Sequence, residues 1–193
     1  MNHYFSDHQE LSKNRRDITF RFLHCDFNFT VDDGVFSNKH VDYGTEALLK
    51  VAAKEEIQGS VADLGCGYGV IGVVISRLFN VEVQGFDVNS RSVDLANINF
   101  KSNNAKGNNI VQDGISGQFD WVITNPPIRV GKEKMYHLFA EAYEALNAHG
   151  TLLFVIRKQH GAKSAQAYIK ELFGNCELLK KDKGFYIYKA IKN

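Results

Sequence analysis

The sequence has few of the residue patterns that mark membrane, secreted or metal-dependent proteins. It contains no run of about 18 apolar residues, which excludes a membrane-spanning helix. The three cysteines, Cys25, Cys66 and Cys176, are too far apart for a disulfide framework or a zinc site, and they indicate a reducing, cytoplasmic setting. The seven histidines form no HxxxH or HExxH pair, so we predict no metal. The polar residues 1–10 predict no signal peptide.

Charge is nearly balanced overall but unevenly distributed. The net charge of +1 argues against a strongly basic nucleic-acid binder. Residues 1–119 carry 11 basic and 15 acidic side chains, whereas residues 120–193 carry 12 basic and 7 acidic ones. This asymmetry hints at a polyanionic partner for the second half. The cluster Lys180, Lys181 and Lys183 is equally consistent with a solvated turn.

Hydrophobic periodicity predicts a β-hairpin over residues 17–31, turning near Cys25-Asp26, and then alternating strands and helices. The predicted strands cover residues 61–64, 81–88, 109–112, 119–124, 151–156, 176–179 and 185–189. The predicted helices cover residues 45–56 (with Asp42 as an alternative start), 70–79, 91–103, 133–146 and 163–173, and residues 147–150 are predicted to close the fourth helix as a loop. This order predicts an α/β fold: a Rossmann-like, doubly wound, mainly parallel seven-stranded sheet with the last strand antiparallel and helices on both faces. We expect residues 1–40 to form an N-terminal extension packed on one domain of residues 41–193.

Glycines and acids follow the first strands of this sheet. Gly65, Gly67 and Gly69 lie between a strand and a helix, where glycines allow tight turns and a close approach to a ligand. Asp63 precedes them, and a carboxylate aimed at that loop would repel a pyrophosphate but suit a cationic ligand. The next strand ends in GFDVN, with Asp87 about where a ribose-binding acid is expected, and the third strand ends in Gln112-Asp113-Gly114, which adds another acid at the same sheet edge. Glycines placed for packing alone, or an NAD site, are the alternatives.

Proline is scarce, and both prolines stand together directly after the strand 119–124. The stretch Asn125-Pro126-Pro127 cannot continue a ladder or enter a helix, so it holds the Asn125 amide at the carboxyl end of a strand. Ligands of open α/β sheets bind at that edge. A loop-capping asparagine is the simpler alternative.

The motifs DLGCGYG, GFDVN, QDG and NPPI, in this order, resemble the class I S-adenosylmethionine-dependent methyltransferases that methylate amino groups. The segments GVFSNKHVDYGTEALL, NPPIRVGK and VIRKQHGA resemble the methyltransferase-small group of small-subunit ribosomal RNA guanine-N2 methyltransferases, in its single-domain form. The resemblance implies S-adenosylmethionine as cofactor, no metal, and RNA as partner, either ribosomal RNA or the small ribosomal subunit. The cofactor-binding residues that it implies are Asp63, Gly65, Cys66, Gly67 and Gly69 with Thr45 for the methionine end, Asp87 and Val88 for the ribose, and Asp113, Gly114 and Ile115 for the adenine.

The resemblance also assigns the catalytic stretch Asn125, Pro126, Pro127 and Ile128, in which Ile128 replaces the commoner aromatic residue. Four cations near the same sheet edge, Arg129, Lys132, Arg157 and Lys158, are expected to contact phosphates, or else to be solvated surface. We therefore expect methyl transfer to an exocyclic amino group, with guanine in small-subunit ribosomal RNA as the first hypothesis. The alternatives are adenine in nucleic acid, a protein glutamine, an NAD-dependent oxidoreductase and a non-catalytic RNA-binding factor.

Overall fold

A computed structural model describes residues 14–127 and 131–193 of the chain. The strands are β1 (Arg16–Phe22), β2 (Cys25–Val31), β3 (Val61–Leu64), β4 (Glu82–Asp87), β5 (Lys106–Val111), β6 (Phe119–Thr124), β7 (Leu146–Arg157), β8 (Glu177–Asp182) and β9 (Phe185–Ile191). The helices are α1 (Tyr43–Ala52), α2 (Val70–Phe79), α3 (Ser90–Ser102), α4 (Lys132–Ala145) and α5 (Ala162–Phe173). Within these described ranges, no helix is long and apolar enough to cross a membrane.

The seven-stranded sheet has the order β5-β4-β3-β6-β7-β9-β8. Its strands are parallel except β9, which runs antiparallel to both β7 and β8. The predicted sheet, with its last strand antiparallel, is therefore confirmed. One apolar core joins α1, α2, α3 and the β1–β2 hairpin to one face of the sheet, and a second core joins α4 and α5 to the other face.

The β1–β2 hairpin turns at Leu23-His24, because Phe22 pairs directly with Cys25. The prediction of a turn near Cys25-Asp26 was wrong by two residues, since only Leu23, with a φ of 54°, adopts the left-handed turn conformation there. Asn99 of α3 acts as a strand partner for β2: Thr30 N–H donates to its Oδ1 at 2.7 Å, and its Nδ2 donates to the Thr30 carbonyl at 3.0 Å. This pairing explains a fully buried asparagine in a helix.

Two element boundaries differ from the sequence prediction by four residues or more, and several others differ by up to three. Helix α1 ends at Ala52, where the Lys54 N–H bonds to the Val51 carbonyl, three residues back, instead of continuing the α-helical pattern. Strand β7 begins at Leu146, five residues early, so the predicted loop at residues 147–150 is the irregular start of a strand. Its partner β6 has a register shift at that point, and periodicity does not signal such a shift.

Candidate active site at the carboxyl edge of the sheet

A cleft of about 600 Å³ lies where the loops after β3, β4, β5 and β6 meet. The parallel strands put these four loops on one edge of the sheet. The predicted site residues that line the cleft are Thr45, Gly65, Cys66, Gly67, Asp87, Val88, Asp113, Gly114, Asn125, Pro126, Pro127 and Arg157. The folded chain thus brings together residues from six separate segments.

The glycine-rich loop requires its glycines for backbone conformation. Gly65, Gly67 and Gly69 have φ values of 76°, 53° and 91°, which non-glycine residues rarely adopt. A side chain on Gly67 would project into open space, whereas Gly69 lies against Ala96 of α3. Gly67 therefore serves the cleft surface, and Gly69, which does not line the cleft, serves the packing of α2 on α3.

Asp63 is fully buried behind the glycine loop and does not line the cleft. Its Oδ2 accepts a hydrogen bond from the Gly72 N–H in the first turn of α2 at 3.0 Å, while its Oδ1 has no partner among the described residues. Burial, opposed by the Gly72 bond and reinforced by the nearby Asp87 charge, raises the pKa of Asp63 to about 7. The Asp63 carboxyl therefore stabilises the junction between the glycine loop and α2 from the interior of the protein. The sequence led us to expect that it would face the cleft.

Asp87 lies at the end of β4 and faces the cleft. Its Oδ2 accepts from the Gly67 N–H and its Oδ1 from the Asn89 N–H, both at 2.9 Å. Burial raises the pKa of this carboxyl, and the backbone N–H bonds oppose that rise. Asp87 ties the glycine loop to β4 and leaves the remaining lone pairs of both oxygens for a ligand.

The loop after β5 supplies Asp113, Gly114 and Ile115. Asp113 forms an exposed ion pair with Lys134 of α4 at 3.1 Å, and both line the cleft. Gly114 has a φ of 88° and lies close to Glu141. Ile115 is not part of the cleft surface, because its side chain packs on the apolar core beneath α4 and α5.

Asn125 is held by two side chains from the start of α1. Its Nδ2 donates to Asp42 Oδ2 at 3.0 Å and to Thr45 Oγ1 at 2.9 Å. A carboxylate only accepts hydrogen bonds, so the end of the amide that faces Asp42 must be the NH₂ group. The carbonyl oxygen Oδ1 accepts no hydrogen bond from the described residues, and Asn125 lines the cleft. The amide therefore offers an acceptor to a ligand.

Four other predicted residues differ in their placement. Ile128 and Arg129 lie outside the described residues. Lys132 and Lys158 are exposed but do not line the cleft, and the Lys132 ammonium lies over the Tyr136 ring at 5.3 Å.

Sequence reasoning missed several cleft residues. Asp42 was considered only as the start of a helix, and its bond to Asn125 joins positions 83 residues apart, which no local pattern signals. Phe36, for which core packing was favoured, is 54% exposed and lines the cleft. His160 and Phe185 also line it, beside Arg157.

Comparison with known proteins places this geometry in a family context. The methyltransferase small domain family model matches residues 26–189. The chain is 38% identical over 197 residues to the uncharacterized protein YbxB of Bacillus subtilis, with 98% of each chain covered. It is 33% identical over 171 residues to ribosomal RNA small subunit methyltransferase C of Haemophilus influenzae, with 83% of this chain and 49% of that protein covered.

Among solved structures, the chain resembles a T. thermophilus 16S rRNA N2 guanosine methyltransferase in complex with AdoMet and guanosine. The TM-score is 0.85 at 25% identity, with 95% of this chain and 52% of the other covered. The chain thus spans about half the length of the ribosomal RNA methyltransferases that it matches.

Proposed function

The chain belongs to the methyltransferase small domain family of S-adenosylmethionine-dependent methyltransferases, and on that premise we propose that it methylates an exocyclic amino group in RNA. We propose guanine N2 of small-subunit ribosomal RNA as the acceptor, because two of the proteins named above are small-subunit ribosomal RNA methyltransferases and one of these was solved with guanosine. The observation on which the chemistry rests is the Asn125 amide, oriented by Asp42 and Thr45 with its oxygen available in the cleft.

The residues of the cleft fit S-adenosylmethionine better than a dinucleotide. Asp87 has acceptors for a ribose diol, and Phe86, Val88 and Leu138 supply an apolar wall for an adenine ring. Asp113 provides a carboxylate for the adenine amino group. A pyrophosphate would need free N–H donors from the glycine loop, but the N–H groups of Gly65 and Cys66 bond to the Phe86 carbonyl and that of Gly69 to the Cys66 carbonyl. The Gly67 N–H is already committed to Asp87.

The chain contributes to methyl transfer by positioning the acceptor amine. An exocyclic amine on a base is a poor nucleophile, because its lone pair is delocalised into the ring. Asn125 Oδ1 and the Pro126 carbonyl accept the two amine hydrogens, which favours a tetrahedral nitrogen with its lone pair directed along the cleft. S-adenosylmethionine, held by Asp87, Asp113 and the glycine loop, would supply a methyl group on a positively charged sulfur, and this sulfur would be the leaving group. The displaced amine proton leaves to water, since the Asn125 amide is not a base at neutral pH.

Asp42 and Thr45 act through Asn125 as positioning residues. An unrestrained amide could rotate and present its NH₂ group, which would repel the amine hydrogens of the acceptor. The Asp42 carboxylate and the Thr45 hydroxyl accept both Nδ2 hydrogens and so exclude that rotamer. Asp42 also accepts from the Thr45 N–H at 3.1 Å as the N-cap of α1, which fixes the carboxylate itself.

The test compares ribosomal RNA from a strain lacking the gene with wild-type RNA by nucleoside mass spectrometry. We expect the loss of one N2-methylguanosine and its restoration by the purified protein with S-adenosylmethionine. Loss of a methyladenosine would instead favour adenine, and a lost methylglutamine in a ribosomal protein would favour the protein acceptor. Unchanged RNA and protein profiles would refute the proposal.

Binding measurements separate the remaining alternatives. Calorimetric titration with S-adenosylhomocysteine and with NADH should give binding only for the first, and tight NADH binding would favour an oxidoreductase. Asn125→Ala should reduce kcat by about 10²–10³-fold while S-adenosylhomocysteine still binds. RNA and cofactor binding without any turnover of the wild-type protein would identify a non-catalytic factor.

A further inference from the structure

A group of exposed cations lies along the end of β7 and the β8–β9 hairpin, beside the cleft. It consists of Arg157, Lys158, Lys180, Lys181 and Lys183, hereafter the basic hairpin surface, and all five side chains are exposed. The Lys158 N–H donates to the Gly184 carbonyl at 2.7 Å, which joins the end of β7 to the tip of the β8–β9 hairpin. Arg157 lines the cleft, so the surface begins at the site itself.

The cations of this surface are largely without acidic partners. In the described ranges, Arg157, Lys158, Lys181 and Lys183 form no ion pair, and Lys180 reaches Asp182 only at 3.9 Å. Three of them lie over aromatic rings instead: Arg157 over Phe185 at 5.5 Å, Lys181 over Tyr186 at 5.2 Å and Lys183 over Tyr43 at 4.9 Å. The rings position the cations without neutralising their charge.

The backbone conformation of Lys183 is energetically unfavourable. Lys183 is the first residue of the two-residue turn between Asp182 and Phe185, which pair directly, and its φ is 44°. Such turns prefer asparagine followed by glycine, because a side-chain-bearing residue at positive φ is strained and asparagine tolerates it best. Gly184 meets that preference, and Lys183 does not. A strained lysine at a hairpin tip beside the cleft is therefore better explained by its charge than by the turn.

The strand order determines which way an RNA chain leaves the site. The acids proposed for the cofactor follow β4 and β5 on one side of β6, and Asn125 follows β6 itself. The cofactor thus fills the β3–β5 side, and the edge beyond the acceptor base is formed by β7, β9 and β8. Phe185 and Tyr43, with ring centroids 5.7 Å apart, stand between Arg157 and the hairpin tip.

We propose that the part of the basic hairpin surface on the α1 face of the sheet binds the single-stranded RNA that flanks the acceptor nucleotide, with Lys180 and Lys183 contacting its phosphates and Tyr43 and Phe185 offering faces for base stacking. Lys180 pairs with Ile187, which belongs to the same apolar core as Tyr43 and Phe185, whereas Lys181 lies over Tyr186 on the other face. This inference rests on the proposed function, which supplies RNA as the substrate. Alternating cations and aromatic rings along a path away from a base-binding cleft are the features that single-stranded nucleic acid requires. An acidic protein would use the cations but not the ring faces.

The test uses fluorescence anisotropy of the full chain with a labelled single-stranded RNA of about 12 nucleotides, a length suited to such a path. The probe variant is Lys180→Gln/Lys183→Asn, in which asparagine suits the turn conformation and keeps the hairpin folded. The matched control is Lys54→Gln/Lys101→Gln, which removes two exposed lysines. Lys54 lies just after the end of α1 and Lys101 in the last turn of α3, both at the edge of the sheet opposite the cleft.

The probe variant should bind the RNA about 10- to 30-fold more weakly near 0.1 M salt, and the slope of log K against log salt should fall by about 1.4. The control should match the wild type in both quantities. Equal affinities and slopes for the two double variants would overturn the inference, as would wild-type protein that binds no RNA. S-adenosylhomocysteine binding and methyl transfer are measured in parallel. If both are absent while the probe variant still binds RNA more weakly than the control, the proposed function is refuted and the inference about the basic hairpin surface is supported.

Discussion

The Asn125 Nδ2 atom lies 3.0 Å from Asp42 Oδ2, and this bond determines which end of the Asn125 amide faces the cleft. The carboxylate is itself held as the N-cap of α1. The orientation of the proposed catalytic amide is thus set by a helix that begins 83 residues earlier in the chain.

Asp42→Ser should lower kcat by about 10- to 100-fold, because serine still caps α1 but is too short to reach Asn125. Asp42→Asn should recover much of the activity, since its carbonyl oxygen replaces Oδ2 as an acceptor. Thr45→Val should also lower kcat, whereas Thr45→Ser should not. Steady-state kinetics with the RNA substrate and melting temperatures check these expectations.

A double-mutant cycle distinguishes this positioning role from a structural one. In the Asn125→Ala background, Asp42→Ser should cause no further loss of kcat, because no amide remains to be oriented. An additional loss of the full single-mutant size would show that Asp42 acts independently of Asn125.

Asp87→Asn should weaken S-adenosylhomocysteine binding by about 10- to 100-fold, because one acceptor for the ribose diol becomes a donor (about 1–3 kcal/mol). Asp94→Asn is the control, since Asp94 is an exposed acid of α3 that changes the net charge equally. Calorimetry gives both affinities. Equal binding by the two variants would contradict the assignment of Asp87 to the cofactor.

Asp63 should make the unliganded protein less stable as the pH rises. Its pKa is about 7 in the folded chain against an ordinary value of 3.8, so the folded state keeps a proton that the unfolded state releases. Stability is therefore fully present below about pH 4, falls up to about pH 7 and stays lower above it. Asp63→Asn should remove this loss. The wild type should lose about 2–4 kcal/mol of unfolding free energy between pH 5 and pH 8 that the variant keeps.

Urea unfolding at the two pH values measures this difference, and Asp120→Asn provides a control whose effect should be the same at both pH values. Bonds from Asn147 and Ser60 hold the pKa of Asp120 below its usual value, so its contribution is present above about pH 4 and lost in acid. Asp120→Asn should cost stability at neutral pH. An Asp63→Asn effect that does not change with pH would refute the buried-proton account.

Asp32→Asn should destabilise the fold by about 3–5 kcal/mol, because it leaves the buried Arg91 guanidinium without its carboxylate. Arg91 Nε lies 2.7 Å from Asp32 Oδ2, with side-chain exposures of only 7% and 2%. The neighbouring Asp33→Asn should change stability little, since the Asp33–Arg16 pair is exposed. Chemical denaturation of both variants tests whether the segment after β2 is anchored to α3 by this pair.

The sequence by itself determined the order of the sheet elements and which residues follow each strand. Alternating patterns placed Asp87, Asp113 and Asn125 after successive strands, and parallel strands bring such residues to one edge. All three do line the cleft. The motif spacing also determined the glycine loop, because its positive φ values are a local property of the backbone.

Only the tertiary structure decided which way the side chains face. Asp63 is enclosed behind the loop, Ile115 packs into the core, and Asp42 reaches Asn125, although no local pattern separates these residues from their neighbours. Periodicity reports which face of a strand or helix is apolar, but the direction of a side chain in a loop depends on partners that are distant in sequence. The physical reason is that hydrogen bonds and burial are satisfied in three dimensions, whereas the sequence displays only neighbours along the chain.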